Sequence, residues 1–134
     1  MERPEEPRRA LIAEDDDELA KLLVDVLTAD GFDVVSVRSA TTLRDTLSMP
    51  QLCGRFDIVV SDVRMPGLSG LDVLASLPRA ARPPVILVTG IPTAAVVRAA
   101  GEHGATAVVA KPFDVQALRA LVRRTVDATP PRSG

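Results

Sequence analysis

The feature that most constrains the fold of this chain is an alternation between short apolar runs and longer stretches with apolar residues at helical spacing. The runs are continuous rather than alternating, which is typical of strands buried on both faces. We predict strands at 10–13, 34–37, 56–60, 85–88 and 106–110. We predict helices at 16–29, 41–47, 70–77, 92–100 and 114–126. Right-handed crossovers then give an α/β fold, a doubly wound five-stranded parallel sheet with five helices.

Single residues mark several of the predicted helix ends. Gly31 is placed to end the first helix, and Asp114 can cap the last one. Pro92 suits the first turn of the fourth helix. His103, the only histidine, lies near the end of that helix, and we assign it a structural role.

The length of 134 residues fits one domain with one core. We place a flexible segment at 1–8, the domain at 9–127 and a polar tail at 128–134. Cys53 is the only cysteine, so an internal disulfide is excluded, and we interpret it as a small apolar filler.

The composition argues against several functions. The net charge is -2 and no stretch is strongly basic, so we expect no nucleic-acid binding by this domain alone. The three Phe, without Trp or Tyr, offer little for stacking on bases or sugars. No apolar run approaches the roughly 20 residues of a membrane span, and the charged N-terminal residues are not a signal peptide. We therefore expect no membrane contact and a cytoplasmic location.

Polar side chains follow four of the five predicted strands. Glu14 and Asp15 follow the first strand, Asp62 the third, Thr89 the fourth and Lys111 the fifth. Ligands of doubly wound sheets bind outside the carboxyl ends of the strands, which lie at one edge. We therefore expect these five side chains to converge there.

Such a set suits the binding and transfer of a phosphoryl group. Clustered carboxylates repel one another, and Mg²⁺ with its preference for hard oxygen ligands would relieve that repulsion. Lys111 supplies a positive charge and Thr89 a hydroxyl donor for an anion. An aspartate such as Asp62 can itself be the nucleophile that accepts the group.

Each residue alone also has a simpler interpretation. Asp15 and its acidic neighbours could only stabilise a helix N-terminus, and Asp62 could only form an Asx turn. Lys111 could be solvated, and Thr89 could merely end a strand. The agreement of all four positions favours a functional site.

The segment 56–70, FDIVVSDVRMPGLSG, resembles the phosphoacceptor segment of response-regulator receiver domains. The acidic cluster, Thr89-Gly90 and Lys111-Pro112-Phe113 occupy the positions of the other signature residues of that family. The resemblance covers about residues 8–126 and implies the flavodoxin-like strand order 2-1-3-4-5.

The resemblance also implies a role for each site residue. Asp62 corresponds to the phosphoacceptor, Lys111 to the lysine that contacts the phosphoryl group, and Thr89 to the switch hydroxyl. The metal ligands for Mg²⁺ would be Asp15, Glu14 (often through water), Asp62 and the backbone carbonyl of Arg64. The chain would be no enzyme beyond catalysing its own phosphorylation and dephosphorylation.

The partners implied by the family are a sensor histidine kinase or a phosphotransfer protein. The output domain or partner would use the face of the fourth helix, fifth strand and fifth helix, and homodimerisation is a further expectation. Small apolar residues at 93–100 and 108–109 would form the centre of that face. A basic rim would come from Arg119, Arg123 and Arg124.

Other phosphate-handling classes fit less well. A haloacid-dehalogenase-like phosphatase needs an acid two residues after its aspartate, where this chain has Arg64. A flavodoxin-like carrier would need a phosphate-binding first loop, and the acids at 14–16 would repel a phosphate. A dinucleotide fold would need a Gly-x-Gly-x-x-Gly motif after the first strand, which is absent.

The main alternative is an interaction module of the same fold that works without phosphorylation. It is kept open by Val108, three residues before Lys111, where family members often carry Tyr or Phe. Half of the usual Thr/aromatic switch is therefore missing.

Overall fold

The computed structural model describes residues 7–49, 55–65, 69–78 and 82–128. The strands are β1 (Arg9–Ala13), β2 (Asp33–Val37), β3 (Ile58–Asp62), β4 (Val85–Thr89) and β5 (Ala107–Ala110). The helices are α1 (Asp17–Ala29), α2 (Ala40–Ser48), α3 (Gly70–Ser76), α4 (Ala94–Glu102) and α5 (Val115–Ala128). Each predicted strand and helix is thus confirmed, with ends displaced by at most two residues.

The strands form one parallel sheet in the order β2-β1-β3-β4-β5. This confirms the predicted strand order and fold class. The central strands β3 and β4 are buried along their whole length, as their continuous apolar sequences require. The edge strand β5 is only partly buried and carries no charged side chain.

The sheet separates two apolar cores because successive side chains of a strand point to opposite faces. Leu11 and Val59 pack with α2, α3 and the buried Ala100 of α4. Ile12 and Val60 point the other way and pack with α1 and α5. The chain therefore covers both faces, and the strand ends are left to form the site.

Side-chain caps begin the helices. Asp16, Ser39, Ser69 and Thr93 each accept a hydrogen bond from the backbone amide three residues further on. Since Thr93 caps α4, that helix begins at Ala94, and the prediction that Pro92 lies in its first turn was wrong. The hydroxyl of Thr93 makes the favoured cap, and Pro92 lies just before it.

The predicted helix ends agree better with the structure. Gly31 follows α1 with φ of 96° and Gly104 follows α4 with φ of 84°, the left-handed region that favours glycine. Asp114 caps α5 through a 2.9 Å hydrogen bond from the amide of Gln116, as predicted. His103 ends α4, and its amide donates to the carbonyl of Ala99, which fits a structural role.

Arg82 joins the C-terminal ends of α3 and α4. Its guanidinium donates to the carbonyl of Leu74 at 2.8 Å and to the carbonyl of His103. Carbonyls in the last turn of a helix lack partners within the helix, so one side chain stabilises the ends of both. The far end of α4 is thereby attached to the body of the fold.

Arg119 on α5 forms a two-fold hydrogen bond with the carboxylate of Asp30, which caps the C-terminal end of α1. Arg123 lines a small cavity of about 80 Å³ next to Asp30, on the same side of α5. The prediction of a basic rim on the β5 side of α5 was therefore wrong for Arg119, which faces α1. The spacing of apolar residues along α5 does not show which side of this helix faces α1 and which side faces β5.

Some predictions concern residues outside the described ranges. These are the filler role of Cys53, most of the segment 1–8 and most of the tail 128–134. Of the helices that the structure describes, none combines the length and the apolarity that crossing a membrane requires.

Candidate functional site

Three carboxylates meet where β1 and β3 end. The two strands are neighbours in the sheet, with Ala13 opposite Ser61, so the residues that follow, Glu14 and Asp62, come close together. Carboxylate oxygens of Glu14, Asp15 and Asp62 lie within 4.8 Å of one another. Glu14 and Asp62 are buried, whereas Asp15 is exposed. The structure thus brings these three acids together, as the sequence predicts.

Lys111 reaches this cluster from the end of β5. Its ammonium group donates to Glu14 Oε1 at 2.9 Å and to Asp62 Oδ2 at 2.5 Å. The backbone holds the lysine in register, because its amide donates to the carbonyl of Thr89 at 2.8 Å. The Lys111–Pro112 peptide bond is cis.

The Asp62 carboxylate is bound at both oxygens. While Oδ2 accepts from Lys111, Oδ1 accepts from the backbone amide of Arg64 at 2.9 Å. The side chain of Arg64 is exposed, so it is the backbone of this residue that contacts the site. A carboxylate fixed in this way has a defined direction for attack on an electrophile.

The charges in the cluster influence one another. Burial raises the pKa of Glu14, and the nearby Asp62 carboxylate adds to that effect, although hydrogen bonds from Lys111 and from the Asp16 amide oppose it. Burial acts against the charged form of Lys111, but its hydrogen bonds to Asp62 and Glu14 outweigh this and raise the pKa of Lys111. The lysine is therefore fully charged at neutral pH.

Thr89 lies at the end of β4 and is buried. Its hydroxyl oxygen accepts from the amide of Ile91 at 3.0 Å. A threonine hydroxyl can still donate its own hydrogen to another acceptor. Thr89 thus connects the rim of the site to the loop before α4.

The sequence did not reveal the contacts that Ser61 and Gly70 make with the backbone of Asp62. The hydroxyl of the buried Ser61 donates to the backbone carbonyl of Asp62 at 3.0 Å. Gly70 opens α3 against the same carbonyl, where a Cβ atom would lie only 2.6 Å from its oxygen. The sequence suggests turn chemistry at Gly70 and Pro66. The structure gives close packing as the reason for Gly70, and Pro66 lies outside the described residues.

The donor set fits a hard divalent cation. Within the ranges that the structure describes, this is the one cluster of carboxylates placed to hold a metal ion. Lys111 balances one of the three negative charges, so an excess of negative charge remains. Oxygen donors with an exposed member that leaves room for water are what Mg²⁺ prefers.

The face around α4 and β5 is apolar and partly exposed. Val108 is half-buried and packs against the core, while Ile91 and Val97 are among the exposed large apolar side chains. Ala100 is the single residue of α4 that is fully buried. Most of this helix is therefore exposed, and Val96 and Ala100 are its residues that pack into the core.

Comparisons with known proteins give a consistent result. The sequence model of a family described as "Response regulator receiver domain" matches residues 10–123. The transcriptional regulatory protein PdtaR of Mycobacterium tuberculosis is 30% identical over 112 residues, which cover 84% of this chain and 53% of that protein. The DNA-binding response regulator MtrA of Mycolicibacterium smegmatis is 32% identical over 120 residues, covering 87% and 49%. The chain thus spans about half the length of the curated relatives it matches.

Solved structures agree with these relatives. The non-phosphorylated receiver domain of HemR from Leptospira biflexa superposes with a TM-score of 0.80 at 26% identity, covering 94% of this chain and 99% of that one. The signal receiver domain of a histidine kinase from Syntrophus aciditrophicus superposes with a TM-score of 0.81 at 28% identity, covering 95% and 96%.

Proposed function

Because this chain belongs to the family of response-regulator receiver domains, we propose that it is a phosphorylation-operated switch in which Asp62 accepts the phosphoryl group. The observation that carries the proposal is the Asp62 carboxylate itself, buried at a strand end and held 2.5 Å from Lys111 within an acidic cluster. The domain would extend over 9–127, and a cytoplasmic location stays a prediction.

In the proposed reaction an oxygen of the Asp62 carboxylate attacks the phosphorus of the donor. The new bond forms between that oxygen and phosphorus, and the bond between phosphorus and the donor's leaving group breaks. Lys111 changes partner from the carboxylate to an oxygen of the incoming phosphoryl group and balances its charge. The backbone amide of Arg64 keeps the other carboxylate oxygen in place.

Receiver domains bind Mg²⁺ at an acidic pocket, and Glu14, Asp15 and Asp62 with the backbone carbonyl of Arg64 are the proposed ligands here. When bound, the ion would neutralise charge on the phosphoryl oxygens. The chain's own contribution is to hold its carboxylates ready, with Glu14 fixed by Lys111 and by the amide of Asp16.

The signal would leave the site through Thr89. When the Thr89 hydroxyl moves to donate to the phosphoryl group, the amide of Ile91 must move with it, because this amide donates a hydrogen bond to the Thr89 hydroxyl oxygen. The loop 90–92 then moves, and with it the N-terminal end of α4, which follows directly. Val108 would repack rather than rotate as an aromatic ring does.

The proposed partners follow from this scheme. A sensor histidine kinase or phosphotransfer protein would supply the phosphoryl group. An output domain, a partner protein or a second copy would bind the face of α4, β5 and α5. The chain would catalyse only its own phosphorylation and dephosphorylation.

The test is phosphorylation by a small donor. Incubation with acetyl phosphate and Mg²⁺ is expected to add one phosphoryl mass, detected by intact-mass spectrometry, and Asp62→Asn is expected to abolish it. Asp57→Asn is the matched control, because Asp57 lies just before the same strand at its opposite end and bonds to the Arg9 amide. Equal labelling of Asp62→Asn would disprove the assignment.

The alternative that Val108, three residues before Lys111, kept open in the sequence is a phosphorylation-independent interaction module, and no comparison favours it. It predicts no labelling of the wild-type chain under the same conditions. It also predicts that partner binding is unchanged by acetyl phosphate.

A further inference from the structure

The carbonyl of Asp62 has an unusual environment for a strand end. It is buried, and the hydroxyl of the preceding residue, Ser61, donates to it at 3.0 Å. Ser61 is 1% exposed and points into the apolar core between β3 and α3. A hydroxyl placed in such surroundings loses its hydration, so its hydrogen bond must be the reason that it is tolerated there.

Gly70 lies next to the same carbonyl and next to the Ser61 hydroxyl. A Cβ atom on Gly70 would lie 2.6 Å from the Asp62 oxygen and 3.1 Å from the Ser61 hydroxyl oxygen. The amide of Gly70 donates to the carbonyl of Val63 at 2.7 Å. The first turn of α3 is therefore in direct contact with the end of β3, and only glycine leaves the space for it.

These contacts determine where the carboxylate of Asp62 lies. The side chain leaves the backbone at the residue whose carbonyl Ser61 and Gly70 hold. Its two oxygens must at the same time meet the Arg64 amide at 2.9 Å and Lys111 at 2.5 Å. A displacement of the Asp62 backbone would move the carboxylate away from one of these partners.

We infer that Ser61 and Gly70 are positioning residues for the phosphorylation of Asp62. Ser61 and Gly70 contact the backbone carbonyl of Asp62, while Lys111 and the Arg64 amide donate hydrogen bonds to its carboxylate. Neither residue touches the reacting atoms. The inference rests on the proposed function, in which Asp62 is the phosphoacceptor.

The decisive variant is Ser61→Ala, which removes one oxygen atom and leaves the packing of the sheet in place. The rate constant of phosphorylation is measured at saturating acetyl phosphate and Mg²⁺, together with the concentration dependence on acetyl phosphate. We expect the saturating rate constant to fall between about ten-fold and about 10²-fold, because misplacement by about 1 Å can cost that much. The half-saturating donor concentration is expected to change little. Gly70→Ala is expected to act in the same direction.

Val73→Ala is the matched control. Val73 lies on α3, is buried and lines the same small cavity as Ser61, but its apolar side chain has no hydrogen bond to offer the Asp62 carbonyl. It should lower the melting temperature while the rate constant stays near that of the wild type. A loss of rate in Val73→Ala equal to that in Ser61→Ala would reduce both effects to general destabilisation and overturn the inference.

The outcomes also separate this inference from the proposed function. An unlabelled wild-type chain would contradict the proposed function itself. A wild-type chain that is labelled at Asp62, together with Ser61→Ala that is labelled at the wild-type rate, would leave the function intact and refute the positioning role. Ser61→Ala decides the question even if Gly70→Ala does not fold.

Discussion

At the residue scale, one lysine divides its charge between two buried carboxylates. Lys111 donates hydrogen bonds to Glu14 and Asp62, and both of these pairs leave out Asp15, the exposed member of the cluster. The arrangement keeps the acids together at the cost of an excess negative charge. Such a cluster is prepared for a second cation, and its stability should depend on whether one is present.

This charge balance predicts a response to Mg²⁺. A ligand that binds only the folded state, at 100 times its dissociation constant, stabilises it by about 2.7 kcal/mol. Millimolar Mg²⁺ is therefore expected to raise the melting temperature, measured by circular dichroism, and Asp15→Asn should remove most of the rise. Without Mg²⁺, Asp15→Asn should be more stable than the wild type because repulsion is relieved.

Asp17→Asn is the control for that experiment, since Asp17 lies two residues away but pairs with Arg38 outside the cluster. It should keep the full response to Mg²⁺. A wild-type melting temperature that ignores Mg²⁺ would count against the metal site altogether. An unchanged or lower stability of metal-free Asp15→Asn would count against the repulsion argument alone.

At the scale of elements, α4 is held unequally at its two ends. Arg82 attaches its C-terminal end to α3, whereas its N-terminal end follows the loop that Thr89 contacts through Ile91. Most of the helix between them is exposed. A shift at the site therefore acts on the N-terminal end of the helix.

That asymmetry predicts where phosphorylation is felt. Chemical-shift mapping with beryllofluoride, a phosphoryl mimic, should show perturbations through residues 90–110 in the wild type. They should shrink in Thr89→Ala and persist in Thr106→Ala, a change at an exposed threonine before β5. Perturbations confined to the surroundings of Asp62, with α4 silent, would point to another output surface such as α1.

The ion pair between Asp30 and Arg119, which joins α1 to α5, predicts that the stability of the fold depends on pH. The hydrogen bond from Arg119 lowers the pKa of Asp30 below its usual value. The pair therefore contributes stability above the unfolded-state pKa of about 3.9, and that contribution is lost as pH falls through the lower folded-state pKa. Asp30→Asn should thus melt below the wild type at pH 7, and the difference should shrink as pH falls below about 4.

Asp25→Asn on the same helix is the matched control, because both side chains of the ion pair between Asp25 and Lys21 are exposed to solvent. It should change the melting temperature little at either pH. A difference between Asp30→Asn and wild type that is the same at pH 7 and at low pH would show that the ion pair is not its cause.

At the scale of the whole molecule, the sequence predicted what depends on periodicity and strand ends. Continuous apolar runs indicated the buried parallel strands, and the topology then placed Glu14, Asp62 and Lys111 together. It did not predict contacts that depend on which elements become neighbours. The close approach of Gly70 to Asp62 and the turn of Arg119 toward α1 are of this kind, because nothing local distinguishes them from an ordinary turn or a solvated arginine.

The register between β1 and β3 has a consequence for how the chain folds. Leu11 lies opposite Val59, so α1, β2 and α2 must be looped out before the middle of the sheet can form. Closing so long a loop costs entropy before any contact repays it, and such non-local pairings slow folding. We expect Val59→Ala to slow refolding, whereas Val108→Ala, on the edge strand, should mainly speed unfolding. Stopped-flow circular dichroism measures both rates in a chain without Trp or Tyr, and the opposite pattern would place the slow step of folding at β5.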